Sequence, residues 1–215
     1  MNNYYSKYIK YKKKYLDLQI QKGSGKQTKD TIKKDCSNLE SFKVTKKNKI
    51  SDTKMIKKGK MRHFTDEEIQ NYTLIKNVNP EVDCYLSTKI KELEPALYMY
   101  VAIYKQDILT IIINPNIFPP QESKKEEIIF PLVINHSNLY KGEPTNCGGL
   151  IKINKNKKIS YIDNQSGHYS PDFKSLKCIV KLLHRQFPNC LDPDLVIMNW
   201  NKETLNLEEV LEEVL

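Results

Sequence analysis

The residue types best suited to chemistry are concentrated between positions 136 and 172 of this 215-residue chain. Two of the four histidines lie there, His136 beside Ser137 and His168 two positions after a second serine. An imidazole close to a hydroxyl can perform acid–base work, and a carboxylate such as Asp163 can orient it. The sequence therefore predicts a polar catalytic site of His136, Ser137, Asp163 and His168, as a hydrolase or transferase would use.

A structural role fits the same residues. Each imidazole could hydrogen-bond the backbone and hold a strand-to-helix corner. Cys147 fits a small strand residue better than a nucleophile, because nothing around it resembles the helix N-terminus at which reactive thiols are common. Two histidines without a third ligand at suitable spacing make a weak metal site, so no metal and no cofactor is predicted.

The segment Ser166-Gly167-His168-Tyr169 has a second possible use. Gly167 can take a positive φ, and a helix is expected to begin after it, with Ser170 as its cap and Pro171 at its first position. A Ser-Gly-His turn at a helix N-terminus presents donors suited to a phosphate or carboxylate. Ser166, Gly167 and Tyr169 are therefore candidate binding residues.

Hydrophobic periodicity predicts the elements that must position these residues. Strands are expected at 97–104, 108–114, 128–135, 150–153, 159–162 and 195–200, and helices at 66–76, 88–94, after 171, and at 205–215. The strand pair at 97–104 and 108–114 is apolar almost throughout, which favours the centre of a sheet. The order predicts an α+β domain with a mainly antiparallel sheet and a helix packed on it after the SGHY turn.

The N-terminal region has a different composition. Its tyrosines recur at helical spacing with lysines around them, which predicts a basic amphipathic helix or leader over residues 1–21; the binding candidates on it are Tyr4, Tyr8, Tyr11 and Tyr15. Residues 22–62 are rich in lysine and poor in apolar clusters, so a disordered linker is expected. The folded domain is expected over 63–215, starting at a capping box of Thr65 and Glu68.

Charge divides at the same boundary. Residues 1–62 hold 19 Lys and Arg against 5 Asp and Glu, a net of +14, whereas residues 63–215 hold 16 against 21, a net of −5. The basic region could bind a polyanion, either nucleic acid or an anionic membrane surface, in a salt-dependent way, or it could dock on a protein partner. The mildly acidic body gives no general argument for nucleic-acid binding.

Cysteine use and hydropathy bear on location. The five cysteines form no CxxC pair and are odd in number, which favours a reducing compartment. No run of about 18 apolar residues and no apolar signal core occurs, so a soluble intracellular protein without a transmembrane segment is expected.

Two resemblances add to these inferences. The start YYSKYIKYKKKYLDLQ resembles the lysine- and tyrosine-rich leader of many otherwise unrelated proteins of giant DNA viruses of the mimivirus type. That resemblance implies a viral protein located in the virion or in a viral factory of the host cytoplasm, and not secreted. The protein partner of the basic region would then be another viral protein.

The central stretch resembles a widespread family that is found in bacterial proteins, in fungal proteins and in the plant IQ-motif calmodulin-binding proteins. The segments of that family run HSSFLAG, a small-residue strand with glycine, and SGHYRP. The matching residues are His136, Ser137, Leu139, Gly142, Pro144, Gly149, Ser166, Gly167, His168, Tyr169 and Pro171. Asn138 replaces the family's second serine, Cys147 stands among its small residues, and the IQ segment is absent. The resemblance implies a shared core without an assigned activity.

These observations together favour a non-enzymatic binding or structural module with a polyanion- or partner-binding basic arm. The alternative is a hydrolase or transferase using His136 and His168.

Overall fold

The structure, a computed structural model, describes residue 36 and residues 39–58, 61–79, 82–90, 92–115, 135–187 and 189–212. The chain divides into two compact units, Met1–Asn38 and Leu39–Leu215, and every element below belongs to the second. The predicted leader over 1–21, with its four tyrosines, lies outside the described residues. The predicted strand at 128–135 does so too, except for its last residue.

Five helices and eight strands occur in the part of the chain that the structure describes. The helices are α1 (Lys46–Lys57), α2 (Asp66–Asn71), α3 (His136–Leu139), α4 (Phe173–Gln186) and α5 (Leu207–Glu212). The strands are β1 (Leu74–Asn79), β2 (Val82–Thr88), β3 (Ala96–Lys105), β4 (Ile108–Ile113), β5 (Cys147–Ile153), β6 (Ile159–Asp163), β7 (Leu191–Met198) and β8 (Thr204–Asn206).

Six strands form the main sheet in the order β4-β3-β5-β6-β7-β8, and β1 and β2 form a separate antiparallel pair. All neighbours in the main sheet are antiparallel except β6 and β7, which are parallel. The connection between these two strands passes through α4, as a parallel pair requires a crossover. The prediction of an α+β fold with a mainly antiparallel sheet is confirmed.

The hairpin at the centre of the sequence forms as predicted. Its two strands are β5 and β6, and the apolar positions that alternate along them, such as Ile151, Ile153 and Ile162, are buried. On its other side β5 pairs with β3, where Gly149 lies opposite Tyr100. This three-stranded part of the sheet supports the candidate site.

The expected central position of the strand pair is wrong for β4, which is the first strand of the sheet. Its outer side is partly covered by the segment after α2. The Ile113 amide donates to the Tyr72 carbonyl at 3.1 Å, and Thr73 forms a bridge with Ile112. That cover explains why an edge strand is as apolar as a central one.

The helix after the SGHY turn begins two residues later than expected. Asp172, not Ser170, is its N-cap, and the Asp172 carboxylate accepts from the Ser175 amide at 2.7 Å. Ser170 instead has a φ of 48° and belongs to the turn. The apolar face of α4 contacts β4 and β5, so the expected packing of this helix on the sheet is present.

The predicted linker is wrong for residues 39–58. They include α1, capped by the Thr45 side chain, and the segment before it packs on the core through Phe42 and Val44. Phe42 and Thr145 exchange two backbone hydrogen bonds, at 2.7 and 3.0 Å. The folded unit therefore begins at residue 39 and not at residue 63, because a few apolar anchors suffice where the sheet supplies the remaining contacts.

Smaller differences occur at helix ends. The Thr65–Glu68 capping box is present as predicted, but α2 ends at Asn71. The predicted helix at 88–94 is absent from its described residues, where β2 continues to Thr88 and Ser87 bridges Glu92. The strand predicted at 195–200 is β7, which starts at residue 191; the short strand β8 follows it, and the last helix starts at residue 207 and not 205.

The cysteines differ from the expectation of uniformly reduced thiols. Cys36, Cys178 and Cys190 take part in disulfides, whereas Cys147 is a free, buried thiol. Separately, none of the helices within the described ranges has the length and apolar character that crossing a bilayer requires.

Candidate functional site

Two of the four predicted catalytic residues meet at a carboxylate that the sequence argument did not select. The Ser137 hydroxyl donates to Asp52 Oδ2 at 2.6 Å, and His168 Nε2 lies 3.2 Å from Asp52 Oδ1. The Asn135 side chain also donates to Oδ1, from Nδ2 at 3.4 Å. We call these four residues, Asp52, Asn135, Ser137 and His168, the Asp52 cluster.

The three donors of the Asp52 cluster are positioned by the main sheet and the segments attached to it, which we call the sheet unit. Asn135 and Ser137 belong to the start of α3, and the Gly142 amide donates to the Ser137 carbonyl at 2.7 Å, which closes the loop behind them. Asn138 Oδ1 accepts from the Asn135 backbone amide at 2.7 Å, so Asn138 stabilises this corner. His168 lies in the turn that follows β6.

The carboxylate comes from α1, on the other side of the cluster. Asp52 is the one buried residue of that helix, with 6% of its surface exposed. Two further polar contacts join the same elements: Asn48 Nδ2 donates to the Gly167 carbonyl at 2.8 Å, and the Thr45 amide donates to the His168 carbonyl at 3.4 Å. Polar groups therefore hold α1 on the SGHY turn.

The arrangement differs from that of a serine nucleophile with a histidine base. In that arrangement the imidazole accepts the hydroxyl proton, but here Ser137 and His168 bond to different oxygens of the same carboxylate. Ser137 is also fully buried. What the cluster does chemically is hold a carboxylate between a hydroxyl, an imidazole and an amide.

His136 lies next to this cluster but has a different partner. Its Nε2 donates to the Gly149 carbonyl at 3.0 Å, which ties α3 to β5. Burial lowers the pKa of His136 to about 4, and the neighbouring His168 lowers it further to a smaller extent. His136 is therefore neutral at pH 7. Catalysis by the pair His136 and His168 stays a prediction.

Asp163 belongs to a separate network. Its Oδ1 accepts from the Leu150 and Gln165 amides at 2.7 and 3.0 Å, and its Oδ2 accepts from the Tyr161 hydroxyl at 2.7 Å. Burial raises the pKa of this carboxyl, opposed by the backbone donors. These bonds fix β5 against the end of β6.

Cys147 lies in an environment that disfavours its thiolate. It is fully buried in β5, 3.4 Å from the Tyr100 hydroxyl, and burial raises its pKa to about 12. A thiol must ionise to attack a substrate. This agrees with the interpretation of Cys147 as a small strand residue.

Two of the predicted binding residues of the SGHY turn, Ser166 and Tyr169, lie inside the fold, whereas Gly167 is exposed. Ser166 is fully buried and its hydroxyl accepts from the Tyr169 amide at 3.4 Å, while the Tyr169 hydroxyl donates to the Glu143 carbonyl at 2.9 Å. Burial raises the pKa of Tyr169. Gly167 accepts a hydrogen bond from α1 through its carbonyl, and its φ is not positive, contrary to the prediction. Among the described residues, the glycine with a positive φ is Gly142, at 74°.

The outward side of α1 is basic. At ~100° per residue, Lys46, Lys47, Lys54 and Lys57 fall within an arc of about 100°, and Asp52 lies on the other side of the helix. All four lysines are exposed, and Asp52 is the one acidic residue of α1. The helix thus has a buried acid and a solvent-facing row of cations, which we call the lysine face.

Asp52 and Asn135 are the site residues that sequence reasoning missed. One signal for Asp52 was present, since it is the single acid in a helix of twelve residues with five lysines. Within the described ranges, no group of three or more His, Cys, Asp or Glu side chains is placed to hold a metal ion. Comparison with protein-family models, curated proteins and solved structures gave no match.

Proposed function

We propose that this protein is a non-enzymatic binding module whose basic N-terminal region binds the phosphate backbone of nucleic acid. The observation that carries the proposal is the lysine face of α1, which points away from Asp52. Because Asp52 is buried and bonded to Ser137 and His168, its negative charge is turned away from those lysines. A fixed row of cations on a folded unit is suited to neutralising adjacent phosphates.

Charge along the chain supports the same function. The lysine face is the folded end of a region with a net charge of +14 over residues 1–62, and the remainder has −5. Nucleic acid would meet the basic region first and be repelled weakly by the body. Binding of this kind is sequence-independent and falls steeply with salt.

Nucleic acid fits α1 better than an anionic membrane does. A helix that lies on a bilayer needs an apolar face to insert. The large apolar side chain that α1 exposes is Ile50, which is 50% exposed and is surrounded in the helix by lysines, so α1 has no apolar face to insert. A phosphate backbone requires cations alone, which the lysine face supplies.

The test replaces the lysine face and measures the salt dependence of binding. Lys46, Lys47, Lys54 and Lys57 are changed to Gln together in the full chain, and binding to duplex DNA is titrated against NaCl. Each lost phosphate contact reduces the slope of log K against log salt by about 1. The control changes four exposed lysines of the body by the same charge: Lys89, Lys152, Lys155 and Lys174.

We expect the α1 variant to lose about 3 to 4 in slope and the control to lose less than about 1. Equal losses of slope in the two variants would show that DNA binds to the body or responds to net charge alone, and not to the lysine face. Vesicles with anionic lipid form a third arm, and tighter binding to them than to DNA would overturn the choice of partner.

We also propose, from the resemblance of the leader, that this is a giant-virus protein of the virion or of a viral factory in the host cytoplasm, and that it is not secreted. The disulfides at Cys36, Cys178 and Cys190 favour the virion, where disulfides persist, over the reducing cytosol. Thiol labelling of the protein from purified particles tests this. Full labelling of Cys178 and Cys190 without a reductant would contradict it.

A further inference from the structure

We propose that Asn135, Ser137 and His168 form a binding site for a carboxylate, and that Asp52 of α1 occupies it as an internal ligand. The three donors lie 83, 85 and 116 positions from Asp52 along the chain, and contacts that do not involve Asp52 hold them. Asn138 and Gly142 bond to the backbone of Asn135 and Ser137, and His168 lies in the turn after β6. We therefore expect the site to persist when Asp52 is removed.

The donors match the two oxygens of a carboxylate. Oδ2 receives the Ser137 hydroxyl at 2.6 Å, and Oδ1 receives His168 at 3.2 Å and Asn135 at 3.4 Å. Hydrogen bonds to an ionised acceptor are the strong ones, and burial strengthens them further. Ser137 is fully buried and the His168 side chain is 19% exposed, so the site is desolvated and still open to solvent on one side.

The attachment of α1 makes Asp52 displaceable. Apolar anchors flank the helix, with Phe42 and Val44 packed on the core before it and Met61 and Phe64 buried after it. Between these anchors, Asp52 is the one buried residue of the helix. The chain is thus tied at both ends of α1, and between them the helix is bonded through the Asp52 carboxylate and, at its first turn, through the Asn48 side chain.

A tethered ligand competes with a free one at an effective concentration of about a millimolar or more. An external carboxylate should therefore bind weakly to the native chain and more tightly once Asp52 is removed. The site takes a carboxylate from an acidic side chain, from a chain terminus or from a small acid, since all three present the same two oxygens.

The test is chemical rescue with a matched probe. Asp52→Ala deletes one carboxylate group, which formate replaces, and Asp52→Gly leaves room for acetate. Each variant is melted in the sodium salt of its acid and in NaCl at equal ionic strength. We expect the acid to raise the melting midpoint of the variant, with half-saturation at least about tenfold lower than for the native chain.

A second substitution ties any rescue to this site. Asp52→Ala combined with Ser137→Ala should lose the response to formate, whereas Asp52→Ala combined with Glu40→Ala, an exposed acid outside the cluster, should keep it. If Asp52→Ala does not fold in chloride, folding restored by formate is the same result. Absence of rescue in both Asp52 variants, or rescue that survives Ser137→Ala, would overturn the proposal.

Two peptides distinguish the sources of the carboxylate once rescue is seen. One has neutral side chains and a free C-terminus, and the other is amidated and contains a single Asp. The peptide that perturbs the ¹⁵N signals of the His168 ring in Asp52→Ala identifies the type of group that the site accepts. If formate binds and neither peptide does, the ligand is a small acid.

Discussion

Gly149 lies directly against Asp163: a Cβ on this glycine would be 2.8 Å from the Asp163 carbonyl carbon and closer still to two of its oxygens. Those oxygens belong to backbone and to a carboxylate that is itself held by three donors, so they cannot move away cheaply. Gly149→Ala should therefore destabilise the protein by about 2 kcal/mol or more. Chemical denaturation monitored by circular dichroism measures this.

Gly167→Ala is the matched control. Nothing lies within 4 Å of a Cβ at this position, and Gly167 does not have a positive φ. The substitution should change the free energy of unfolding by less than about 0.5 kcal/mol, or stabilise the fold by restricting the unfolded chain. Equal losses at the two glycines would mean that the strand pairing relaxes around Gly149.

The contrast between these glycines shows what a sequence can predict. The hairpin of β5 and β6 was predictable because residues such as Ile151 and Ile162 alternate with polar ones, which is a local signal. Whether Gly149 or Gly167 is the crowded one depends on how Asp163, at the end of β6, lies against Gly149 of β5. That contact forms only in the folded chain, so it cannot be predicted from the spacing of the glycines in the sequence.

Helix α1 shows the same limit at longer range. Its sequence KKNKISDTKMIK lacks an apolar face, so composition predicts disorder. The helix is stabilised by a bond between Asp52 and Ser137, 85 positions apart. By contrast, the capping box of Thr65 and Glu68 spans three residues and was predicted correctly.

Stability should fall with acid through His136. Its pKa is lowered to about 4 from 6.5 by burial, so below pH 6.5 the unfolded chain takes up a proton that the folded chain does not. The contribution is fully present above about pH 6.5, is lost as pH falls and levels off near pH 4. The total is on the order of 3 kcal/mol.

The measurement is the free energy of unfolding at pH 7, 5.5 and 4 for the native chain and for His136→Gln. The variant should be less stable at pH 7, because the bond to the Gly149 carbonyl is altered, but should lose less between pH 7 and 4. His184, whose pKa burial also lowers, contributes equally to both proteins. Parallel pH profiles would show that His136 takes up a proton without unfolding.

Thr65→Ala should cost about 1 kcal/mol through loss of the N-cap of α2. The Thr65 hydroxyl accepts from the Glu68 amide at 3.1 Å, and Glu68 accepts in return from the Thr65 amide at 2.8 Å. Thr65→Ser retains the hydroxyl and should recover most of the loss. A Ser variant as unstable as the Ala variant would indicate that packing of the threonine methyl, and not capping, is responsible.

Release of α1 from the sheet unit should be measurable by proteolysis. The lysines of α1 are trypsin sites, and a linker extending to residue 62 would be cut at them at once, leaving a fragment that starts near Arg62. A helix held by Asp52 must open locally before it is cut. Asp52→Ala removes hydrogen bonds to a charged group, worth about 1.5 to 3 kcal/mol each, so cleavage after Lys54 or Lys57 should accelerate at least about tenfold.

Mass spectrometry of early digestion products locates the cuts, and cleavage within the body reports on global unfolding. Glu40→Ala, which removes an exposed acid from the same segment, should leave the α1 cuts at the native rate. Ser137→Ala should accelerate them as well, by less than Asp52→Ala, because His168 and Asn135 still bond to the carboxylate. If the native chain is cut in α1 as fast as Asp52→Ala, the carboxylate does not hold the helix. The lysine face would then belong to a mobile arm.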